Sequence, residues 1–427
     1  MLAATKWPWV TVVVIISACI GLALPAVQLH LSLPNSGQHE ATAQDRIAYD
    51  QAAQYFGVGF NGPLIVTVDL LPTIDPLGVM AGIEKDVLAI NGVQNVLIAT
   101  PNQNADTGFL QIIPTTAPDD PETQKLVAAL RAKHQDWYDE YKVKTEVTGI
   151  TAISIDVSAK LAEALLPFGL FVVGLSLVLL AIVFRSIAVP IKAALGYLLS
   201  VGVAFGVTTL VFNQGWFIWL INLEKPMAVI SFLPIILMGI LFGLAMDYEV
   251  FLVSRIREEY VHGANAHDAI IEGFVASGKV VAGAAVIMIS VFAFFVPEGM
   301  LPIKAIAFSL AIGIAVDAFV VRMTLVPAVL EILGDKAWWL PPTLAKHLPT
   351  FDIEGESLAE ELALADWPAD GSLLHTSDLS VTGLVADQNL AIWPGEVVAV
   401  IGEKPRTALL LALSGRLRIS SGHARVA

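Results

Sequence analysis

The sequence predicts an α-helical polytopic membrane protein with six transmembrane helices and one external α/β domain of ferredoxin-like form. Three observations lead there. Mean hydropathy is +0.71, with 56% hydrophobic and 15% charged residues, whereas a soluble domain carries about a quarter charged residues. Six runs are apolar and long enough to cross a bilayer core, which takes about 20 helical residues. A polar stretch of mixed strand and helix pattern separates the first run from the other five. The net charge of -15 excludes nucleic acid as an expected partner, because an acidic chain repels phosphate. A single cysteine, Cys19, excludes an intrachain disulfide.

The apolar runs cover approximately 9–27, 165–184, 191–212, 227–253, 280–296 and 303–333. The first is long for a cleaved leader and reads as an anchor. The expected organisation is an N-terminal span (1–27), an external domain (28–163) and a five-helix bundle (164–340). An acidic cytoplasmic linker (341–380) and a short terminal segment (381–427) follow. Lys6, Arg185, Lys192, Arg255, Arg257, Lys279, Lys336 and Lys346 fall on one side, while the opposite short loops carry only Lys225 and Lys304. By the positive-inside rule both termini are expected in the cytoplasm of a multi-pass plasma-membrane protein. Trp216, Trp219, Trp338 and Trp339 sit near span ends, as interfacial aromatics do.

Between the first two spans, "GPLIVTVDLL", "VQNVLIAT", "FLQIIPTT" and "KTEVTGI" read as strands. "PLGVMAGIEKDVLAI" has helical apolar spacing. "PDDPETQKLVAALRAKHQDWYDEY" opens with prolines and acids, as a helix start does. The order β-α-β-β-α-β predicts a split βαβ sandwich. His134 has no nucleophile or metal partner at a recognisable spacing and reads as a solvated helix-face residue. Asp119, Asp120 and Glu122 read as helix-start charges, and neither a metal nor a cofactor is expected.

The chemistry concentrates in "FGLAMDYEVFLVSRIREEY" (242–260). Arg255 and Arg257 would snorkel to an interface, and Asp247 lies eight residues earlier, about 12 Å along a helix. That depth is costly for charge, so an ionisable group there is a functional candidate by default. A carboxyl group that alternates between neutral and ionised forms is a natural proton carrier, and Tyr248 could donate to a carboxylate on another helix. Gly239 and Gly243, spaced as GxxxG, would allow such a helix to approach closely. The last span adds Asp317 and Arg322. Five positions apart is about 140° around an α-helix, so the two need not pair directly. Pro327 would kink that span.

Four segments, "AYDQAAQYFGVGFNGPLIVTVDL", "VFRSIAVPIKAALGYLLSVGVAFGV", "FGLAMDYEVFLVSRIREEY" and "VDAFVVRMTLVPAVLEILGDKAWWLP", resemble the MMPL (mycobacterial membrane protein large) branch of the RND transporters, over residues 1 to about 356. Such transporters have two six-span repeats, and this chain resembles the C-terminal one. The resemblance implies a secondary active transporter, not an enzyme. It further implies proton-driven export of a lipid or other hydrophobic molecule. Asp247, Tyr248 and Asp317 would form the proton relay, with Arg255 and Arg322 as supporting charges. A first-half repeat, or a second copy of the chain, is the expected partner. The alternative is a non-transporting accessory, lipid-sensing or scaffold subunit of an envelope complex.

The segment after 381 resembles the opening of an ABC-type ATPase domain, with a strand "VVAVIG" and a following helix. A phosphate loop needs G-x-x-x-x-G-K-[ST]. Here Gly402 is followed by "EKPRTALL": the second glycine and the Lys-Ser pair are missing, and Pro405 removes an amide donor. The segment is therefore expected to be a degenerate, truncated relative that does not bind ATP.

Overall fold

A computed structural model describes residues 5–298, 300–341, 344, 371–401 and 404–426. Much of the expected linker, Lys346 and Gly402 lie outside the described residues. The chain divides into two compact units, Met1–Pro349 and Thr350–Ala427.

In the first unit, α1 (Pro8–Ala23) leads through a tight helical turn, Leu24–Gln28, to the two-residue strand β1 (Leu31–Ser32) and helix α2 (Gln44–Phe56). The sheet domain follows: β2 (Leu64–Asp69), α3 (Pro76–Leu88), β3 (Val93–Pro101), β4 (Thr107–Pro114), α4 (Pro121–Ala132), α5 (His134–Tyr141) and β5 (Lys144–Thr148). The strands lie in the order β3-β4-β2-β5, and each neighbouring pair is antiparallel. This is the ferredoxin-like arrangement the strand order predicts. Alternation on β2 buries Leu64, Val66 and Val68 against Ile83 and Val87 of α3 and Leu126 and Leu130 of α4. Both helices start where the sequence can satisfy open backbone donors. Asp75 accepts from the Gly78 N–H at 3.0 Å and Asp120 from the Glu122 N–H at 2.8 Å, each just before a proline at the first helical position.

Two expectations change here. The single helix expected over 118–141 breaks at Lys133 into α4 and α5, which lets Trp137 turn inward and donate to Asp86 at 3.1 Å. His134 is not a solvated residue: its Nδ1 lies 2.7 Å from the Thr145 carbonyl, tying α5 to β5.

The membrane-length helices are α6 (Ile150–Phe184), α7 (Ala188–Thr208), α8 (Leu233–Val261), α9 (Ala266–Glu298) and α10 (Leu301–Ala315). A π-helical stretch, Val316–Leu325, and α11 (Val326–Leu333) prolong α10. With α1 these make six helical segments long and apolar enough to cross a membrane. The 163/164 boundary expected between domain and bundle falls inside α6, which runs unbroken from the end of β5 into its apolar half. No proline or glycine occurs in "TAISIDVSAKLAEALL", so one continuous helix carries both parts, with Pro167 inside it just beyond. β1 pairs in parallel with β6 (Val229–Ile230), joining the segment after α1 to the approach to α8. Next to it, Ser158 of α6 and Ser231 share a 2.7 Å hydrogen bond.

In the second unit, β7 (Leu374–Val381), β8 (Val385–Ile392) and β9 (Ser421–Val426) form an antiparallel sheet in the order β8-β7-β9. α12 (Lys404–Leu413) contributes Leu409 and Ala412 to its core. β7 begins seven residues ahead of the expected start at 381, because Thr376, Leu379 and Val381 are all buried along it. The expected strand "VVAVIG" does not form: Val397 and Ile401 are 98% and 91% exposed and have no ladder partner among the described residues.

Candidate functional site: buried and exposed charges of the helical bundle

Helix α8 carries a buried stripe at Leu237, Leu241, Ala245, Glu249, Leu252 and Ile256, the three-to-four spacing of a helix face packed on neighbours. Glu249 is the polar member of that stripe and is fully buried. Its Oε1 accepts from Lys192 Nζ of α7 at 2.7 Å, and its Oε2 meets the Arg322 guanidinium. Arg322 Nε also donates to Asp317 Oδ2 at 3.2 Å, and Ser200 of α7 donates to Asp317 Oδ1 at 3.2 Å. Two cations and two carboxylates thus neutralise one another where a lone ion would be prohibitive.

The pairing of Asp317 with Arg322 differs from the α-helical expectation, and the backbone explains why. Val316–Leu325 is π-helical; hydrogen bonds running i to i+5 bring residues five apart onto neighbouring positions. Thr324 shows the same offset, donating to the Phe319 carbonyl at 2.9 Å. The widened stretch ends just before Pro327, whose ring cannot coexist with the ordinary i−4 carbonyl geometry.

Asp247 lies two positions from Glu249, about 200° around the helix, and its side chain is exposed. No hydrogen bond or ion pair joins it to another described residue. Tyr248 is half-buried and close enough to both Asp317 and Asp247 to feel their charges. Gly243 shares the exposed face with Asp247, and a Cβ built on it meets nothing within 4 Å. The expected GxxxG approach is therefore not made among the described residues. Close packing occurs on other glycines, such as Gly196, where a Cβ would stand 2.7 Å from Val321.

Residues 73–364 match the MMPL family. The chain belongs to the MMPL family. It is 40% identical to Membrane protein YdfJ of Bacillus subtilis over 84% of this chain and 49% of that protein. It is also 29% identical to the mycolic acid-containing lipids exporter MmpL11 of Mycolicibacterium smegmatis, over 82% and 37% respectively. The trehalose monomycolate exporter MmpL3 of the same organism is 35% identical over 47% of this chain and 20% of that protein. The chain spans half or less of these curated MMPL relatives.

Of the expected site residues, the structure brings Asp317 and Arg322 together and leaves Tyr248 within electrostatic reach of Asp317. It leaves Asp247 on the opposite face of α8. Arg255 is exposed and pairs along its own helix with Glu258 at 2.6 Å, away from the buried cluster. Glu249, Lys192 and Ser200 were not expected site residues. The stripe spacing of α8 was the available signal for Glu249. Lys192 had been counted among the interfacial cations that orient the chain. Its side chain is 7% exposed and belongs to the ion cluster. Lys304, counted on the opposite side, is likewise buried at the start of α10. Neither lysine therefore contributes as an interfacial cation to the expected orientation. No group of three potential metal ligands occurs among the described residues.

Proposed function

We propose that this chain is one half of a proton-coupled MMPL-type exporter in the plasma membrane, moving a lipid or another hydrophobic molecule through its sheet domain. The observation that carries the reading is Asp247: a carboxyl group displayed, without a partner, on an apolar helix long enough to span the bilayer. An ionised group facing hydrocarbon is costly, so the residue either holds a proton or faces a polar partner. Cycling between those states couples proton flow to movement of α8. Tyr248 bridges from Asp247 toward Asp317, and the Glu249–Lys192–Arg322 cluster holds the helices in register. The partner surface is the Gly243–Asp247 face, which suits close approach of a first-half repeat or a second copy. The named lipid exporters among the relatives support the substrate class.

The test is cargo export from proteoliposomes under an imposed pH gradient, with the chain reconstituted beside its first-half partner. Asp247→Asn keeps shape and polarity but cannot exchange a proton; it is expected to insert normally and lose gradient-driven export. Undiminished export would overturn the relay and favour an accessory role. Both termini are proposed to be cytoplasmic. In intact cells a cysteine introduced at Asn104 should react with an impermeant reagent and one at Ser377 should not; the reverse pattern would invert the topology.

A further inference from the structure

A cleft of about 590 Å³ opens at the end of the bundle that carries the sheet domain. Three segments form it: the chain after β1 (38–46), the loop before α8 (222–227) and the approach to α10 (297–304). One wall is apolar, with Leu223, Met227 and Leu301. The other is charged: Arg46, Lys225 and Lys304 outnumber Glu40 and Glu224.

The polar wall is built rather than incidental. Arg46 is 7% exposed and is held in place by Asp50 at 2.8 Å and by the His39 carbonyl at 3.0 Å. Its Nη2 lies 3.6 Å from Glu224. Lys304 is fixed by donation to the Ile221, Asn222 and Pro297 carbonyls at 3.0–3.2 Å. Gln38 also lines the cleft, is 6% exposed, and its buried amide Nε2 has no hydrogen-bond partner among the described residues. A buried amide donor without an acceptor is a cost the fold carries unless something supplies one. Beside the cleft loop, Trp216 and Trp219 are 54% and 76% exposed, as aromatics at head-group level are.

We propose that this cleft binds the phosphate-bearing head group of a membrane amphiphile. Gln38 and Lys225 would donate to the phosphate, the Arg46–Asp50 pair would fix that wall, and the acyl or isoprenoid part would lie along the Leu223–Met227–Leu301 wall. An anion satisfies the open Gln38 amide and the exposed Lys225 ammonium together, which neither a neutral head group nor a metal cation does. The inference rests on the membrane placement of the six helices and not on proton coupling, so it survives or fails independently of the relay.

The experiment uses the full chain in detergent micelles, without any gradient, and reads lipid binding by native mass spectrometry. The probes are phosphatidylglycerol, diacylglycerol with the same chains, and inorganic phosphate. Phosphatidylglycerol is expected to bind saturably and in preference to diacylglycerol. Gln38→Leu and Lys225→Gln are each expected to weaken it about tenfold, the range for one charge-assisted contact. Diacylglycerol binding should not change. Lys225 is exposed, so its variant reads the contact even where Gln38→Leu compromises folding. Unaltered phosphatidylglycerol affinity in Lys225→Gln would overturn the site. Displacement of the lipid by an equal concentration of inorganic phosphate would also overturn it, assigning the cleft to the free anion.

Discussion

Glu249 and Asp247 stand two residues apart on one helix and carry the same chemical group, yet their surroundings are opposite. Glu249 is fully buried and touches a cation from each of two other segments, Lys192 and Arg322. Asp247 is exposed, and its side chain forms no hydrogen bond or ion pair with the described residues. The difference separates two uses of an intramembrane carboxylate. A charge neutralised on all sides binds helices together and changes state only at great cost. A charge left on the outer face depends on what comes to it, a proton or a second protein surface, and that dependence is what a transport cycle can exploit.

The largest separation between the two should appear in paired variants. Asp247→Asn is expected to lower gradient-driven export by about 10²-fold or more, the range associated with losing a positioned proton-transfer group, while the folded yield stays at wild-type level. Glu249→Gln should do the reverse. It leaves Lys192 and Arg322 with too little negative charge and should destabilise the bundle by about 3–5 kcal/mol, measured as a lower midpoint for unfolding in mild denaturing detergent. The contrast breaks if Glu249→Gln folds as well as wild type, or if Asp247→Asn is the variant that fails to accumulate.

How far the sequence revealed this follows from the kind of signal each residue leaves. The six apolar segments and the β-α-β-β-α-β order were legible because period and hydropathy are local properties. The 242–260 segment stood out too, since charge inside a long apolar run is rare, and it does carry one member of the buried ion cluster, Glu249. The role of Glu249 was readable in principle from its place in the Leu237–Leu241–Ala245–Leu252–Ile256 stripe. The contact between Asp317 and Arg322 was not readable, because it depends on a π-helical stretch that replaces the 100° step on which spacing arguments rest. Lys192 was misassigned for a different reason: a lysine close to a span end looks interfacial until the partner carboxylate, 57 positions away, is brought beside it.

Glycines extend the contrast at smaller magnitude. On the inner side, Gly196→Leu would drive a side chain into Val321, whose methyl already lies 2.7 Å from an added Cβ. A cost of about 1–3 kcal/mol is expected for such overpacking, seen as a lowered unfolding midpoint. On the outer side Gly243→Leu meets open space and should leave the midpoint unchanged or slightly raised, since glycine is a poor helix former. Its effect should appear only in co-purification with the first-half partner, which a leucine on the contact face should reduce. Equal co-purification by Gly243→Leu and wild type would remove this face as the docking surface and leave Asp247 exposed to lipid.

Tyr248 provides the finest test, because it lies between the two environments. It is half-buried, next in sequence to both carboxylates and within electrostatic reach of Asp317 as well as Asp247. Tyr248→Phe retains the ring that packs and removes the hydroxyl alone. If the hydroxyl steadies whichever carboxylate is ionised, its loss removes one hydrogen bond of about 1 kcal/mol. Gradient-driven export should then fall about fivefold, far less than in Asp247→Asn, with the unfolding midpoint preserved. Complete loss of export would make the phenol an obligatory proton carrier rather than a support. An unchanged rate would remove Tyr248 from the path and leave the exposed carboxylate to exchange its proton through water or the partner alone.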